Sequence, residues 1–243
     1  MQTNFPLDNI SIILVDTRTP ANIGATARCM MNMGMRRLVL VHPPKDPDNE
    51  ALKLAAGADQ IVKQALLMPT LGEAIAGQHL VIGTSRHPSR LRRNVMSPRE
   101  TAERVAPLLA RNNVAIVFGS EVNGLDNDQL ALCHEIISIP SSGAFPSLNL
   151  SHAVIVVAYE FFVALRSTVV PTNRHLAPAE DLELFYRHLQ ETLVTIGFLD
   201  RDHPERIMFS LRQIFGRSRL DSREVNILRG IISSIDRIST KNQ

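Results

Sequence analysis

A mostly parallel α/β sheet with helices on both faces is the fold class the sequence predicts, and two observations predict it. Short apolar, strand-like runs alternate with segments of helical period along the first two thirds of the chain. The later runs also end in small-residue loops, Gly83-Thr84-Ser85, Gly119-Ser120 and Pro140-Ser141-Ser142-Gly143. Loops of that kind suit a ligand held by backbone groups at the carboxyl ends of parallel strands.

The elements follow in order. Residues 11–15 (SIILV) read as a buried first strand ending in Asp16-Thr17-Arg18-Thr19-Pro20. Asn22 is placed to cap a helix through Met33, because Ile23, Ala27, Met30 and Met31 recur at helical spacing and Gly34 provides a stop. Residues 37–42 form a second strand closed by Pro43-Pro44. A short helix over 49–56, a weak third strand over 60–63 and a helix over 70–76, capped by Thr70, come next. The fourth strand is 79–83. Ser97-Pro98-Arg99-Glu100 supplies a cap, a proline at the first helical position and an acid at the third, so a helix starts there and runs to Arg111. Strand five at 114–118, a helix at 128–133 and strand six at 136–139 complete the alternation.

Residues 150–166 are apolar almost all round, which requires burial on more than one side, in the core or against a second subunit. The expected division is a sheet domain over 1–168, a linker over 169–178 and a helical extension over 179–243. Within the extension, helices are expected at 179–196, 204–215 and 222–238. So short an extension is marginal by itself and needs a surface to pack on.

Composition narrows the setting. With 44% hydrophobic and 21% charged residues, the 243-residue chain is of ordinary globular type. Its longest apolar stretch, 153–165, contains Glu160 and is too short to span a bilayer. The start, MQTNFPLDN, lacks a basic region followed by an apolar run, and Cys29 and Cys133 make no CxxC spacing. A cytoplasmic protein without a metal site is the expectation. The net charge of +2 says little by itself, but its distribution is uneven. Arg86, Arg90, Arg92, Arg93 and Arg99 fall in one stretch without an acid, and Arg212, Arg217, Arg219 and Arg223 form a second group. Arginine's planar fork clamps phosphate well, while a solvated face is the plainer reading.

The motifs of common α/β chemistry are missing. There is no GxGxxG, no GxxxxGK[ST], no HExxH and no GxSxG, so nicotinamide, nucleotide-triphosphatase, zinc-hydrolase and serine-hydrolase readings lack support. Three residues stand out near the loops. Arg28 is either a surface arginine or a positive group that orients an RNA phosphate or stabilises a developing oxyanion. Glu121 is either a general base or a fastener of its loop. Asn149 caps the following helix, reaches a ligand, or does both.

The runs Asn22-Ile23-Gly24-Ala25-Thr26-Ala27-Arg28, Phe118-Gly119-Ser120-Glu121 with Gly124-Leu125, and Ile139-Pro140 with Ser147-Leu148-Asn149-Leu150-Ser151 resemble the three motifs of the SPOUT methyltransferases. Those are RNA ribose methylases whose sheet ends in a trefoil knot. Within the family the chain is similar to the bacterial tRNA (cytidine/uridine-2'-O)-methyltransferases acting at position 32 of the anticodon loop. Residues 54–58 (LAAGA), Gly83-Thr84-Ser85 and 226–231 (NILRGI) extend the likeness over almost the whole chain.

The resemblance implies a C-terminal knot in the sheet domain, a homodimer, tRNA as substrate and S-adenosyl-L-methionine as cofactor. It places the cofactor against Thr84, Ser85, Arg86, Gly119, Glu121, Ile139, Pro146, Ser147, Leu148 and Asn149. It gives Arg28 the activation of the 2'-hydroxyl; Arg90, Arg92 and Arg93 are the candidate RNA contacts. Two positions depart from the pattern: Ser120 stands where many members carry Arg, and Pro146 where many carry Ser. Ser120 removes a positive group near the site, and Pro146 has no amide to donate. A nonenzymatic RNA-binding protein of the same fold is the alternative function.

Overall fold

In the computed structural model the described residues are 6–44, 48–86, 95–144, 147–167 and 170–241. Seven strands form one sheet in the order β3-β2-β1-β6-β4-β7-β5, with every pairing parallel. The central strands β1 (Ile10–Val15), β6 (Val114–Phe118) and β4 (Leu80–Thr84) are buried almost throughout. Successive residues serve opposite faces, as the period of two requires. Ile12 and Leu14 pack under α1 (Pro20–Asn32), α2 (Asp48–Ala55), α5 (Pro98–Val105) and α7 (Leu150–Arg166). Ile13 and Val15 pack under α4 (Leu71–Ile75) and α6 (Asn127–Ala131). Full burial of each such side chain contributes about 1.5–3 kcal/mol, so the sheet is held from both sides.

β7 (Glu135–Ile137) lies between β4 and β5 (Val95–Met96), two strands that are consecutive in the chain. A late strand threaded between earlier neighbours is the topology the expected knot requires, and an exception to ordinary connection rules. α7 then packs back on α1 and α5, with Val154, Val157, Ala158 and Phe161 fully buried.

Several boundaries differ from the sequence reading. The third strand is Leu66–Met68, and residues 60–63 instead belong to the helix α3 (Asp59–Lys63), whose Ile61 and Val62 face the core. The helix expected to reach Arg111 ends at Val105, where Pro107 forces a 3-10 turn over Ala106–Leu108. The sixth expected strand stops at Ile137. It is the seventh in the chain, because the two-residue β5 precedes it. Asn22 does not cap α1; the helix begins at Pro20 behind Thr19, which frees the Asn22 side chain for other partners.

The C-terminal helices α8 (Ala179–Thr195), α9 (Glu205–Ser218) and α10 (Ser222–Lys241) share their own apolar cluster around Leu182, Phe185, Tyr186, Met208, Val225 and Ile232. They dock on the sheet through Arg219, whose Nε and Nη2 lie 2.7 and 2.6 Å from the buried Glu135 Oε1. Gly216 approaches the His134 backbone at the same place.

α1 and α2 approach so closely at Gly24 that a Cβ there would lie 1.9 Å from the Ala51 carbonyl oxygen. Gly24→Ala is therefore expected to destabilise the chain by about 1–3 kcal/mol through overpacking. Urea denaturation with an unchanged m-value checks it, and wild-type stability would show that the two helices part without strain.

Candidate functional site

Three loops converge beyond the carboxyl ends of β4, β6 and β7. Thr84, Ser85 and Arg86 come from the first, Phe118 to Glu121 with Gly124 from the second, and Ile139, Ser147 and Leu148 from the third. Together with Ile137, Leu150 and Ala153 they line one cleft of about 660 Å³, counting its open mouth. Local chemistry explains why the loops hold their shape. Thr84 Oγ1 donates to the Val117 carbonyl at 3.0 Å, the Ser85 amide donates to the Ile137 carbonyl at 2.9 Å, and Arg86 Nη2 donates to the Val122 carbonyl at 3.1 Å. Gly119 is required by proximity, since a Cβ there would stand 2.1 Å from the Gly124 carbonyl carbon and 2.2 Å from the Leu125 nitrogen. The floor of the cleft is thus bare backbone, while Ile137, Ile139, Leu148 and Leu150 make its sides apolar.

One hydrogen-bond chain ties the three motif regions together. Asn149 stands at the N-cap of α7, where its Oδ1 accepts from the Ser151 amide at 2.9 Å and from Ser151 Oγ at 2.8 Å. Its Nδ2 donates to Asn22 Oδ1 at 3.0 Å, and Asn22 Nδ2 donates to Glu121 Oε1 at 2.7 Å. The Glu121 carboxylate also accepts from the Arg18 amide at 3.1 Å and the Thr19 amide at 3.4 Å. Burial pushes the Glu121 carboxyl up. The hydrogen bonds from Asn22, from the Arg18 amide, from its own amide and from the Thr19 amide outweigh that and hold its pKa below the ordinary glutamate value.

Of the residues singled out from the sequence, Thr84, Ser85, Arg86, Gly119, Glu121, Ile139, Ser147 and Leu148 meet in this cleft, with Asn149 at its edge as the α7 cap. Arg28 does not line it. It is exposed on α1, six residues and about 9 Å along the helix axis from Asn22, and no group among the described residues pairs with it. Pro146, Arg90, Arg92 and Arg93 lie outside the described residues. Sequence reasoning did not find the link from Asn22 to Glu121 and Asn149, because residues 99 and 127 positions apart become partners only through the fold. Among the described residues no cluster of three or more His, Cys, Asp or Glu could hold a metal, and no helix is long and apolar enough to cross a membrane.

Because the Glu121 pKa is lowered on folding, its stabilising contribution is present above the unfolded value, near 4.3, and is lost as pH falls through the folded value. Glu121→Gln should therefore lower the Tm at pH 7, and the gap to wild type should narrow below about pH 5. A gap that stays constant down to pH 3 would remove the carboxylate from the fastening role.

Comparison with known proteins places this geometry. Residues 9–159 match the SpoU rRNA Methylase family, and residues 180–243 match the C-terminal domain of tRNA methyltransferase TrmJ. The tRNA (cytidine/uridine-2'-O-)-methyltransferase TrmJ of Salmonella typhimurium is 42% identical over 238 residues, covering 95% of this chain and 97% of that protein. The crystal structure of TrmJ from Z. mobilis superposes with a TM-score of 0.81 at 34% identity, covering 93% of this chain and 98% of the other. The fold also occurs, at 22% identity and a TM-score of 0.54, in the SpoU methyltransferase AviRb from Streptomyces viridochromogenes, solved in complex with AdoMet. That likeness covers 66% of this chain and 62% of AviRb, and shows the shared fold. The chain belongs to the SpoU family of RNA methylases, in its TrmJ-like branch with the helical C-terminal domain.

Proposed function

We propose that this chain transfers a methyl group from S-adenosylmethionine to the ribose 2'-hydroxyl of nucleotide 32, a cytidine or uridine, in the tRNA anticodon loop. The observation that carries the reading is the single cleft formed by three backbone-rich loops in a member of this family. Its chemistry fits the cofactor. An adenosyl group suits a slot with bare floor and apolar sides, and the Glu121 carboxylate in the lining favours a cationic sulfonium. Thr84, Ser85, Arg86, Gly119, Glu121, Ile139, Pro146, Ser147, Leu148 and Asn149 are the residues proposed to hold it. When bound, the cofactor supplies an already activated methyl group.

The protein then has two tasks, to align the 2'-oxygen with the donor and to manage one proton. Asn149, Asn22 and Glu121 keep the loops in register for the first. Glu121 is poorly suited to the second, because its oxygens already take three hydrogen bonds that favour the ionised form. Arg28, exposed and permanently charged, is the proposed activating group, acting directly or through a substrate phosphate. Since it lies outside the cleft of its own chain, RNA or a second subunit must bring the ribose and the guanidinium together. Met31 on α1 and Val156, Tyr159 and Val163 on α7 are exposed apolar residues, so a homodimer through these helices is part of the proposal. Arg90, Arg92 and Arg93 are proposed to contact the RNA backbone.

Arg28→Ala, in protein that sediments at twice the 27.0 kDa chain mass, should lose methyl transfer to tRNA by about 100-fold or more and keep its affinity for S-adenosylmethionine within about twofold. Wild-type turnover would remove Arg28 from the mechanism, and a failure of the wild-type chain to bind the cofactor in equilibrium dialysis would leave only an RNA-binding role. Neutralising Arg90, Arg92 and Arg93 together should weaken tRNA binding and reduce the salt slope by about 2–3, the number of released counterions. An unchanged slope would assign them to a solvated face.

A further inference from the structure

A second cleft adjoins the first across the turn Ser120–Gly124. It opens at the carboxyl ends of β1 and of β2 (Arg37–Val41), and holds about 900 Å³ of space, counting its mouth. The turn between the two clefts is tight: the Gly124 amide donates to the Ser120 carbonyl at 2.9 Å, and the Asn123 amide donates to Ser120 Oγ at 3.2 Å. Both Ser120 and Gly124 line both clefts.

The construction of this cleft is unusual for a loop region. Asp16 and His42 follow paired residues of adjacent strands, Val15 and Val41, and both are left-handed, with φ of 54° and 48°. Neither is glycine, so the backbone is strained at both positions and the surroundings must hold it there. Asp16 Oδ1 pairs with His42 Nδ1 at 3.2 Å, and Asp16 Oδ2 accepts from Gln129 Nε2 at 3.0 Å. Gln129 is itself fixed, its Oε1 accepting from the Asp126 amide at 3.0 Å and its amide donating to Asp126 Oδ1 at 2.8 Å. Through these atoms the four side chains hold one another. Four groups in the lining are not engaged, the exposed Arg18 guanidinium among them. Thr17 is 2% exposed, and its Oγ1 is buried without a hydrogen-bond partner. Among the described residues nothing pairs with His42 Nε2 or with the Asn123 side chain.

A buried hydroxyl left unpaired costs free energy unless a ligand completes it. The ligand's chemistry follows from the lining. Two carboxylates, Asp16 and Asp126, outnumber the single guanidinium of Arg18 in the lining, so the space opposes a phosphate. Arg18 only donates and suits a carbonyl oxygen; the other open positions are a hydroxyl, an amide and an imidazole nitrogen, and each of these can donate or accept. A neutral heterocycle with both kinds of edge group satisfies that set, and Pro44 and the His42 ring are also in the lining. Cytosine and uracil share the O2 acceptor but reverse donor and acceptor at positions 3 and 4. Groups of interchangeable polarity accommodate both.

We propose that this cleft holds the base of the pyrimidine nucleotide whose ribose is methylated across the Ser120–Gly124 turn. The assignment rests on the methyltransferase reading and adds the residues that read the base: Thr17, His42 and Asn123.

The test uses the full chain and two tRNA transcripts that differ only by cytidine or uridine at the methylated position. Thr17→Val removes the hydroxyl at nearly constant shape. It should lower kcat/KM for both transcripts by about tenfold, leave S-adenosylmethionine binding within about twofold, and leave the Tm undiminished because no internal hydrogen bond is lost. Asn123→Asp, on an exposed turn, converts an ambivalent group to an acceptor and should raise the cytidine-to-uridine ratio of kcat/KM by about fivefold or more. Wild-type kinetics in Thr17→Val, or a ratio within about twofold of wild type in Asn123→Asp, overturns the assignment. Failure of the methyltransferase reading would show differently, as a wild-type chain that takes up no S-adenosylmethionine, and would remove this assignment with it.

Discussion

The cleft depends on the direction of one hydrogen-bond chain. Asn149 uses its carbonyl oxygen at the start of α7, so its amide nitrogen must face outward, to the Asn22 oxygen. Asn22 must then turn its own nitrogen to a group that only accepts, and the ionised Glu121 is that group. Reversal of any member would set donor against donor or acceptor against acceptor. The loops of Glu121 and Asn149 have little secondary structure of their own, so this chain and the helix cap fix their spacing, while Thr84, Ser85 and Arg86 tie the first loop to β6, β7 and Val122. It is also why a lowered Glu121 pKa is a statement about architecture before it is one about chemistry.

A second constraint acts on the strand behind the cleft. β7 ends in the Ile139 loop and begins at Glu135, whose side chain is 6% exposed and faces Arg219, 13% exposed. Arg104 Nη2, at 3.8 Å, is a second and more distant partner of the same oxygen. Such a pair adds little net stability over apolar residues of the same size, yet removal of Glu135 would strand the Arg219 charge and cost about 3–5 kcal/mol. Its effect is therefore on specificity of docking: the C-terminal helices have one place on the sheet where that carboxylate is matched. Arg219 itself is left-handed at the end of α9, with φ of 49°, which turns the chain so that its guanidinium meets the strand. The extension is in this way coupled to the strand that leads into the Ile139 loop of the cleft.

Much of the sheet was legible because its central strands are buried on both faces and read as unbroken apolar runs. The exposed edge was not. Leu66 and Leu67, 57% and 64% exposed in β3, give no pattern that marks a strand, whereas Ile61 and Val62 look strand-like but line the buried face of a helical turn. Propensity could not separate two apolar pairs whose difference is tertiary. The same limit governs the site. Small-residue loops at strand ends signal a cleft from sequence, since only they let backbone approach a ligand. Asn22 in a capping position signals a cap, and the role it has instead exists only once residues 121 and 149 are beside it. Asp16 and His42 carried no signal at all, because their pairing comes from strand register.

Ser120 connects these threads. The motif pattern leads one to expect arginine there, and the absence of that charge first reads as a weakened grip on RNA. In the fold its hydroxyl accepts from the Asn123 amide and helps close the turn that separates the two clefts. A long cationic side chain at this point would give up that bond and extend into one cleft or the other. The serine therefore keeps the partition thin and both spaces open, and it leaves Asn123 anchored by its backbone with its side chain unengaged. On the proposed reading, the position trades a charge that binds any phosphate for a shape that lets a base and a methyl donor lie on opposite sides of five residues.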